Sequence, residues 1–225
     1  MFKSNSSRTG DLPYKVDHTE PQAAELLSEK LQQCLASELH ATRQIVIVCI
    51  GTDRSTGDAL GPLVGSKLSA KLMDEERAVV YGTLEAPVHA VNLKDTIDEI
   101  KTKYHQPFVI AVDACLGQLS SVGLVTLANG PLKPGAGVNK VLPEVGSIHL
   151  TGIVNVGGFM EYFVLQNTRL SVVMKMADTI ADGLGQAVKA VKRLPLPTQE
   201  DPVKSGVSSL ADRIASLKSH LSPFL

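Results

Sequence analysis

The segment Gln44-Ile-Val-Ile-Val-Cys-Ile50 is a continuous β-branched, apolar run with no polar residue after its first position. A strand with one wet face alternates apolar and polar residues, so an uninterrupted run marks a strand covered on both sides. Covering both sides of a sheet requires helices above and below it. A second such run, Phe108-Val-Ile-Ala-Val112, ends at Asp113. Between and around these runs lie segments with helical spacing. Leu27, Leu31, Cys34 and Leu35 share one face after Thr19-Glu20-Pro21, which suits a helix start. Leu60, Leu63, Val64, Leu68 and Leu72 form a second stripe. Leu93, Ile97, Ile100 and Tyr104 form a third, with Asn92 and Asp95 placed as a cap and its partner. Further strands are predicted at 79–84, 122–128 and 153–156, and further helices near 158–167 and 172–191. Strands alternating with helices predict an α/β chain with helices on both sides of a mostly parallel sheet.

The 225 residues allow one large domain with flanking segments. Residues 1–18 are polar and Ser-rich and read as a flexible arm. Residues 19–192 read as a single α/β/α domain including an N-terminal helix. Residues 193–225 read as a Pro-rich linker followed by a short amphipathic helix carrying Leu210, Ile214, Leu217 and Leu221. That helix suits docking onto the same domain or onto a partner. The span Asn129–Ser147 is rich in Gly and Pro and reads as a long loop, a feature often tied to function.

Several function classes fall away on composition. Net charge is −1, and aromatics make up 4% with no Trp, so neither a basic field nor a base-stacking platform exists for nucleic acid. No signal-peptide core and no long apolar run occurs, which predicts a cytoplasmic protein without membrane contact. The three cysteines, Cys34, Cys49 and Cys115, form no C-x-x-C pair and read as reduced thiols. Cys115 as a nucleophile is the weaker alternative. Pro134-Gly-Ala-Gly-Val-Asn-Lys140 imitates a phosphate loop but lacks the G-x-x-x-x-G-K-[ST] pattern and a strand directly before it. No G-x-S-x-G elbow or H-E-x-x-H motif occurs.

Two aspartates remain. Asp58 follows the first buried strand in Gly51-Thr-Asp-Arg-Ser-Thr-Gly-Asp-Ala-Leu-Gly-Pro62, and Asp113 follows the second. In an open parallel sheet the carboxyl ends of the strands share one edge, where ligands bind. Each aspartate alone reads equally as a cap of the next turn or helix. Together they suit a pair sharing one proton, able to activate water with one member and protonate a leaving amine with the other. The same pair suits a metal, with His149 completing an O,O,N set. Asp53 is a second loop carboxylate, more simply read as solvated, and His89 is a weaker ligand candidate. His18, His40, His105 and His220 have no context that points to chemistry.

The segments Cys49–Gly65, Ala111–Gly117 and Lys133–Gly146 resemble the signature of the YyaC sporulation protein family, over a similarity running from about Gln44 to Gly185. That family is similar in turn to the germination protease of spores and to the hydrogenase maturation endopeptidases. The resemblance implies a three-layer α/β/α sandwich with a twisted, mostly parallel sheet, of the phosphorylase/hydrolase-like kind. It implies Asp58 and Asp113 as the essential pair of the germination protease, and acidic residues at those places plus a later His near His149 as nickel contacts in the hydrogenase group. One departure is Gly51-Thr52 where the first loop usually opens Gly-Asn. Another is His149 itself, which the germination protease lacks.

The leading expectation is a spore-associated endopeptidase or hydrolase, acting in the cytoplasm of the forespore or spore core. Asp58 and Asp113 are its catalytic pair, and Gly135, Gly137, Asn139 and Lys140 shape its substrate cleft. Its substrate is a protein or peptide such as the small acid-soluble spore proteins, it needs no cofactor, and it is a candidate homo-oligomer. The alternatives are a non-catalytic relative that binds a peptide partner or a metal, and a nickel-dependent maturation endopeptidase using Asp58, Asp113 and His149.

Overall fold

Isoleucines and valines that cannot face water dictate the centre of the fold. In the computed structural model, which describes residues 12–38, 44–135 and 142–192, every residue of strand β2 (Ile45–Cys49) is buried. The element order is β1 (Tyr14–Asp17), α1 (Ala23–Glu38), β2, α2 (Leu60–Lys71), β3 (Ala78–Tyr81), α3 (Leu93–Lys103), β4 (Phe108–Gly117), β5 (Leu124–Asn129), β6 (Ile148–Val156), α4 (Glu161–Gln166) and α5 (Leu170–Lys192). The six strands form one sheet in the order β1-β5-β6-β4-β2-β3. β3, β2, β4 and β6 run parallel, and β5 is antiparallel to both of its neighbours. The described residues lie in one compact unit, Met1–Leu194.

The two faces of the sheet carry separate cores. Ile45, Ile47, Cys49, Ile110, Val112 and Leu150 pack with the apolar sides of α1, α2 and α5. Val46, Val48, Ile50 and Ala111 pack on the other face with Leu93 and Ile100 of α3. Helices therefore cover both faces, the three-layer α/β/α arrangement that a doubly buried β2 demands. The stripes read from spacing are the ones buried: Leu27, Leu31, Cys34 and Leu35 in α1, and Leu60, Val64 and Leu68 in α2 with Leu72 just beyond its end. Among the described residues, no helix is long and apolar enough to cross a membrane.

Four expectations need correction. The flexible arm over 1–18 is not loose at its end, because Tyr14–Asp17 pairs with β5 as an edge strand and His18 is bonded to the Gly123 carbonyl at 2.8 Å. Only Val16 of that strand is buried, so its pairing and not its hydrophobicity holds it. β6 begins five residues earlier than expected. Ile148, Leu150, Gly152 and Val154 alternate inward, and the intervening polar residues hid a half-buried strand. The long loop is braced by an isolated bridge between Leu132 and Val145. Asn92 sits at the start of α3 but makes no cap bond. Its Oδ1 accepts from the His89 N–H and its amide donates to the Pro87 carbonyl, closing the preceding turn instead. The Pro-rich linker and C-terminal helix expected over 193–225 lie outside the described residues.

Candidate active site

β2 leads through α2 to β3 on one side, while β4 lies on its other side. Successive connections thus leave β2 and β4 in opposite directions, and the crevice at their carboxyl ends is the topological switch point of the sheet. Asp58 and Asp113 both face it. β2 pairs with β4 only as far as Cys49 opposite Val112, and the last bond is from the Ile50 N–H to the Val112 carbonyl at 2.7 Å. β4 continues beside β6, so Asp113 stands mid-strand, at the first position where its former neighbour has turned away. It is not the strand-end residue that the run of apolar residues suggested.

The loop that carries Asp58 is held by close backbone approaches. Gly51 has φ +149, and a Cβ there would overlap the Asp58 carbonyl, which accepts from the Thr52 N–H at 3.2 Å. Gly61 lets α2 descend onto the Ile50 carbonyl, which any side chain would strike. Thr52, where the resembled loop carries Asn, accepts from the Arg54 N–H at 3.3 Å and so organises the loop in its own way. The Gly57 N–H donates to the Leu165 carbonyl at 2.9 Å, fastening the loop to α4. Asp58 is not a helix cap. Ala59 occupies that position, and α2 begins without any side-chain cap bond.

Asp58, Asp113, Ala114, Cys115, Thr151 and Glu161 line one cavity of about 260 Å³, closed further by Leu116, Leu132, Lys133, Gly135 and Leu165. Burial pushes the Asp113 carboxyl up to about 8, against a bond from the Ala114 N–H (2.8 Å) that favours its anion, and the Asp58 charge pushes it further up. Asp58 is also raised by burial. The buried Ser55 hydroxyl beside it pulls less strongly the other way and makes no hydrogen bond elsewhere among the described residues. Burial thus favours the protonated form of both carboxyls, and the Asp58 charge adds to that effect at Asp113. Cys115 is also raised by burial, and the Asp113 charge adds to the rise, so its thiol stays protonated and is a poor nucleophile. Cys49 is fully buried.

The metal set read from the sequence is not assembled. His149 lies on β6 opposite Ala111, two residues before Thr151, which is the partner of Asp113. Its Nδ1–H donates to the Gly130 carbonyl at 2.9 Å, and the residue does not line the cavity. Among the described residues no three His, Cys, Asp or Glu side chains converge as metal ligands. Asp53 is exposed, and His89 bonds within its own turn at 3.3 Å to the Val91 N–H. Of the expected cleft residues, Gly135 lines the cavity, while Gly137, Asn139 and Lys140 lie outside the described residues.

Thr151, Glu161, Leu165 and Lys133 were not singled out from sequence. Thr151 had a usable signal, since it falls with His149 on the half-exposed polar phase of β6, directly opposite Asp113. Glu161 and Leu165 had none. They reach the cavity because Asn155, at the irregular step in the β4–β6 pairing, donates to Thr168 Oγ1 at 3.2 Å while Leu165 receives Gly57.

The family described as "Protein of unknown function (DUF1256)" matches residues 15–183, and the chain belongs to it. A relative from Bacillus subtilis (strain 168), described as "Uncharacterized protein YyaC", is 61% identical over 171 residues, covering 75% of this chain and 80% of that protein. The family match spans both aspartates and every residue that lines the cavity.

Proposed function

We propose that this member of the YyaC-type family is a hydrolase that cleaves peptide bonds with Asp58 and Asp113. One observation carries the reading: two carboxyl groups line a single cavity at the switch point, and burial raises both, Asp113 up to about 8 with the Asp58 charge adding to the rise. Asp58, ionised, accepts a proton from a water molecule as its oxygen attacks the substrate carbonyl. Asp113, protonated, donates to the leaving amine nitrogen as the C–N bond breaks. Water then adds as hydroxyl to the acyl part and hydrogen to the amine, and a proton passing from Asp58 to Asp113 restores the pair. Neither step needs a cofactor or a metal. Cys115 and Thr151 sit on the wall as neighbours.

The resemblance to the germination protease supports proteins of the forespore or spore core as substrates, the small acid-soluble spore proteins first, with the cytoplasm of those compartments as the place of action. The test is incubation of the purified protein, and of its Asp58→Asn variant, with those proteins and with a forespore extract, followed by intact-mass measurement. New peptide termini from the wild type alone support the reading. Absence of new termini, with a partner retained from the extract, favours the same cavity as a peptide-binding site without turnover.

A further inference from the structure

Among the described residues four polar side chains are buried, and three of them have a partner. Gln32 Nε2 donates to Ser28 Oγ at 3.0 Å, Thr168 Oγ1 donates to the Val164 carbonyl at 2.9 Å, and Thr179 Oγ1 donates to the Lys175 carbonyl at 3.2 Å. Ser55, only 5% exposed, is the exception: its hydroxyl is shut off from solvent and makes no hydrogen bond among the described residues. Withdrawing a hydroxyl from water without giving it a partner is costly, so such a group in a folded protein calls for a reason.

The place of Ser55 in its loop supplies one. The Ala59 N–H donates to the Ser55 carbonyl at 3.0 Å and closes a helical turn over residues 55–59. Residues three apart on such a turn carry their side chains on the same side, which sets Ser55 beside Asp58. The turn is held at two further points. The Gly57 N–H donates to the Leu165 carbonyl at 2.9 Å, and the Asp58 carbonyl accepts from the Thr52 N–H at 3.2 Å. Against the rise that burial causes, the Ser55 hydroxyl favours the Asp58 anion. Asp58 lines the cavity and Ser55 does not, so Ser55 reaches the chemistry only through its neighbour. We propose that Ser55 is a positioning residue for Asp58: its hydroxyl donates to one oxygen of the ionised carboxylate and leaves the other oxygen to take the proton of the attacking water. The contact fixes the orientation of the base and stabilises its charge at the moment it is needed. Its part in turnover rests on the hydrolase reading, whereas the contact itself is open to measurement without substrate.

The test follows the Asp58 carboxyl by carbon NMR in the full chain labelled at the aspartate carboxyl carbons, with Asp58→Asn identifying the resonance. The other titratable groups lining the cavity with Asp58 are Asp113 and Cys115 of β4, Glu161 of α4 and Lys133, while Asp53 and Arg54 of its own loop are exposed. All of them are the same in wild type and in the Ser55 variants, so a difference between these proteins belongs to Ser55. Ser55→Ala should raise the Asp58 midpoint by about one pH unit, a tenfold gain in proton affinity, because the anion loses a donor. Ser55→Thr keeps the hydroxyl and should return the midpoint toward that of the wild type. A group that merely fills space would alter stability and leave the midpoint where it was. An unmoved midpoint in Ser55→Ala, a fall, or an equal displacement in Ser55→Thr overturns the assignment. The hydrolase reading fails separately. A displaced midpoint with no new termini from wild-type protein removes catalysis and upholds the contact. Where the wild type does cleave, the acid limb of its rate profile should move with the midpoint in Ser55→Ala, and a limb that stays in place overturns the role of Ser55 alone.

Discussion

Replacing Asp113 with Asn should change how stability depends on pH. In the folded protein the Asp113 carboxyl is held up to about 8, against an ordinary value of 3.8. Between those values the folded state binds a proton that the unfolded state has released. The wild type is therefore most stable at acid pH with respect to this group, and loses stability as pH rises toward 8. From pH 4 to pH 7 the full shift corresponds to about 4 kcal/mol. Because the carboxyl borders an open cavity, solvent screening reduces this to roughly 2–4 kcal/mol. Asn keeps the oxygen that accepts from Ala114 and has no proton to lose, so Asp113→Asn should lack this decline. Urea unfolding of both proteins at pH 4, 5.5, 7 and 8 reads the difference as a midpoint displacement at constant slope. With a slope of about 2 kcal/mol/M, the variant should gain about 1–2 M over the wild type between pH 4 and 7. Parallel curves for the two proteins would mean that Asp113 ionises normally in the fold, and the shared proton on which the mechanism depends would be refuted.

Cleavage by the wild type should fall as pH rises through about 8, where Asp113 loses its proton, and fall again on the acid side as Asp58 takes one up. A profile flat above neutrality would contradict the assigned roles. Gly61→Ala should destabilise the protein by roughly 2–3 kcal/mol in thermal or urea unfolding, since the new Cβ meets the Ile50 carbonyl and either α2 or β2 must move. Lys71→Ala should cost less than about 1 kcal/mol, because its 2.7 Å pair with Asp182 is nearly half exposed on both sides. Added nickel should displace the melting temperature equally in wild type and in His149→Ala. A shift that the substitution removes would show that His149 joins a metal site after all.

The layered architecture was legible because it follows from local chemistry. An unbroken apolar run such as Ile45–Cys49 has only one low-energy surrounding, and stripes such as Leu60, Val64 and Leu68 can bury themselves only against it. β1 escaped for the converse reason: four residues with one buried side chain carry no signal until β5 lies alongside. β6 escaped because His149 and Thr151 interrupt the run, although their alternation with Ile148 and Leu150 is the period of a half-covered strand.

The site divides along the same line. The identity of Asp58 and Asp113 as residues worth watching came from their positions after buried strands. Their meeting in one cavity and the exclusion of His149 from it were decided by the tertiary structure. Side chains 55 positions apart converge because β2 and β4 are neighbours whose connections diverge at that edge, an outcome of strand order that no local segment contains. The raised carboxyl of Asp113 likewise depends on burial and on the Asp58 charge, which arise only when the loop, β4 and β6 come together. Local sequence determined which surfaces had to be covered, because burial preference belongs to each residue. Only the folded sheet decided which polar groups would be left facing one another at its edge, because distance and desolvation belong to the assembly.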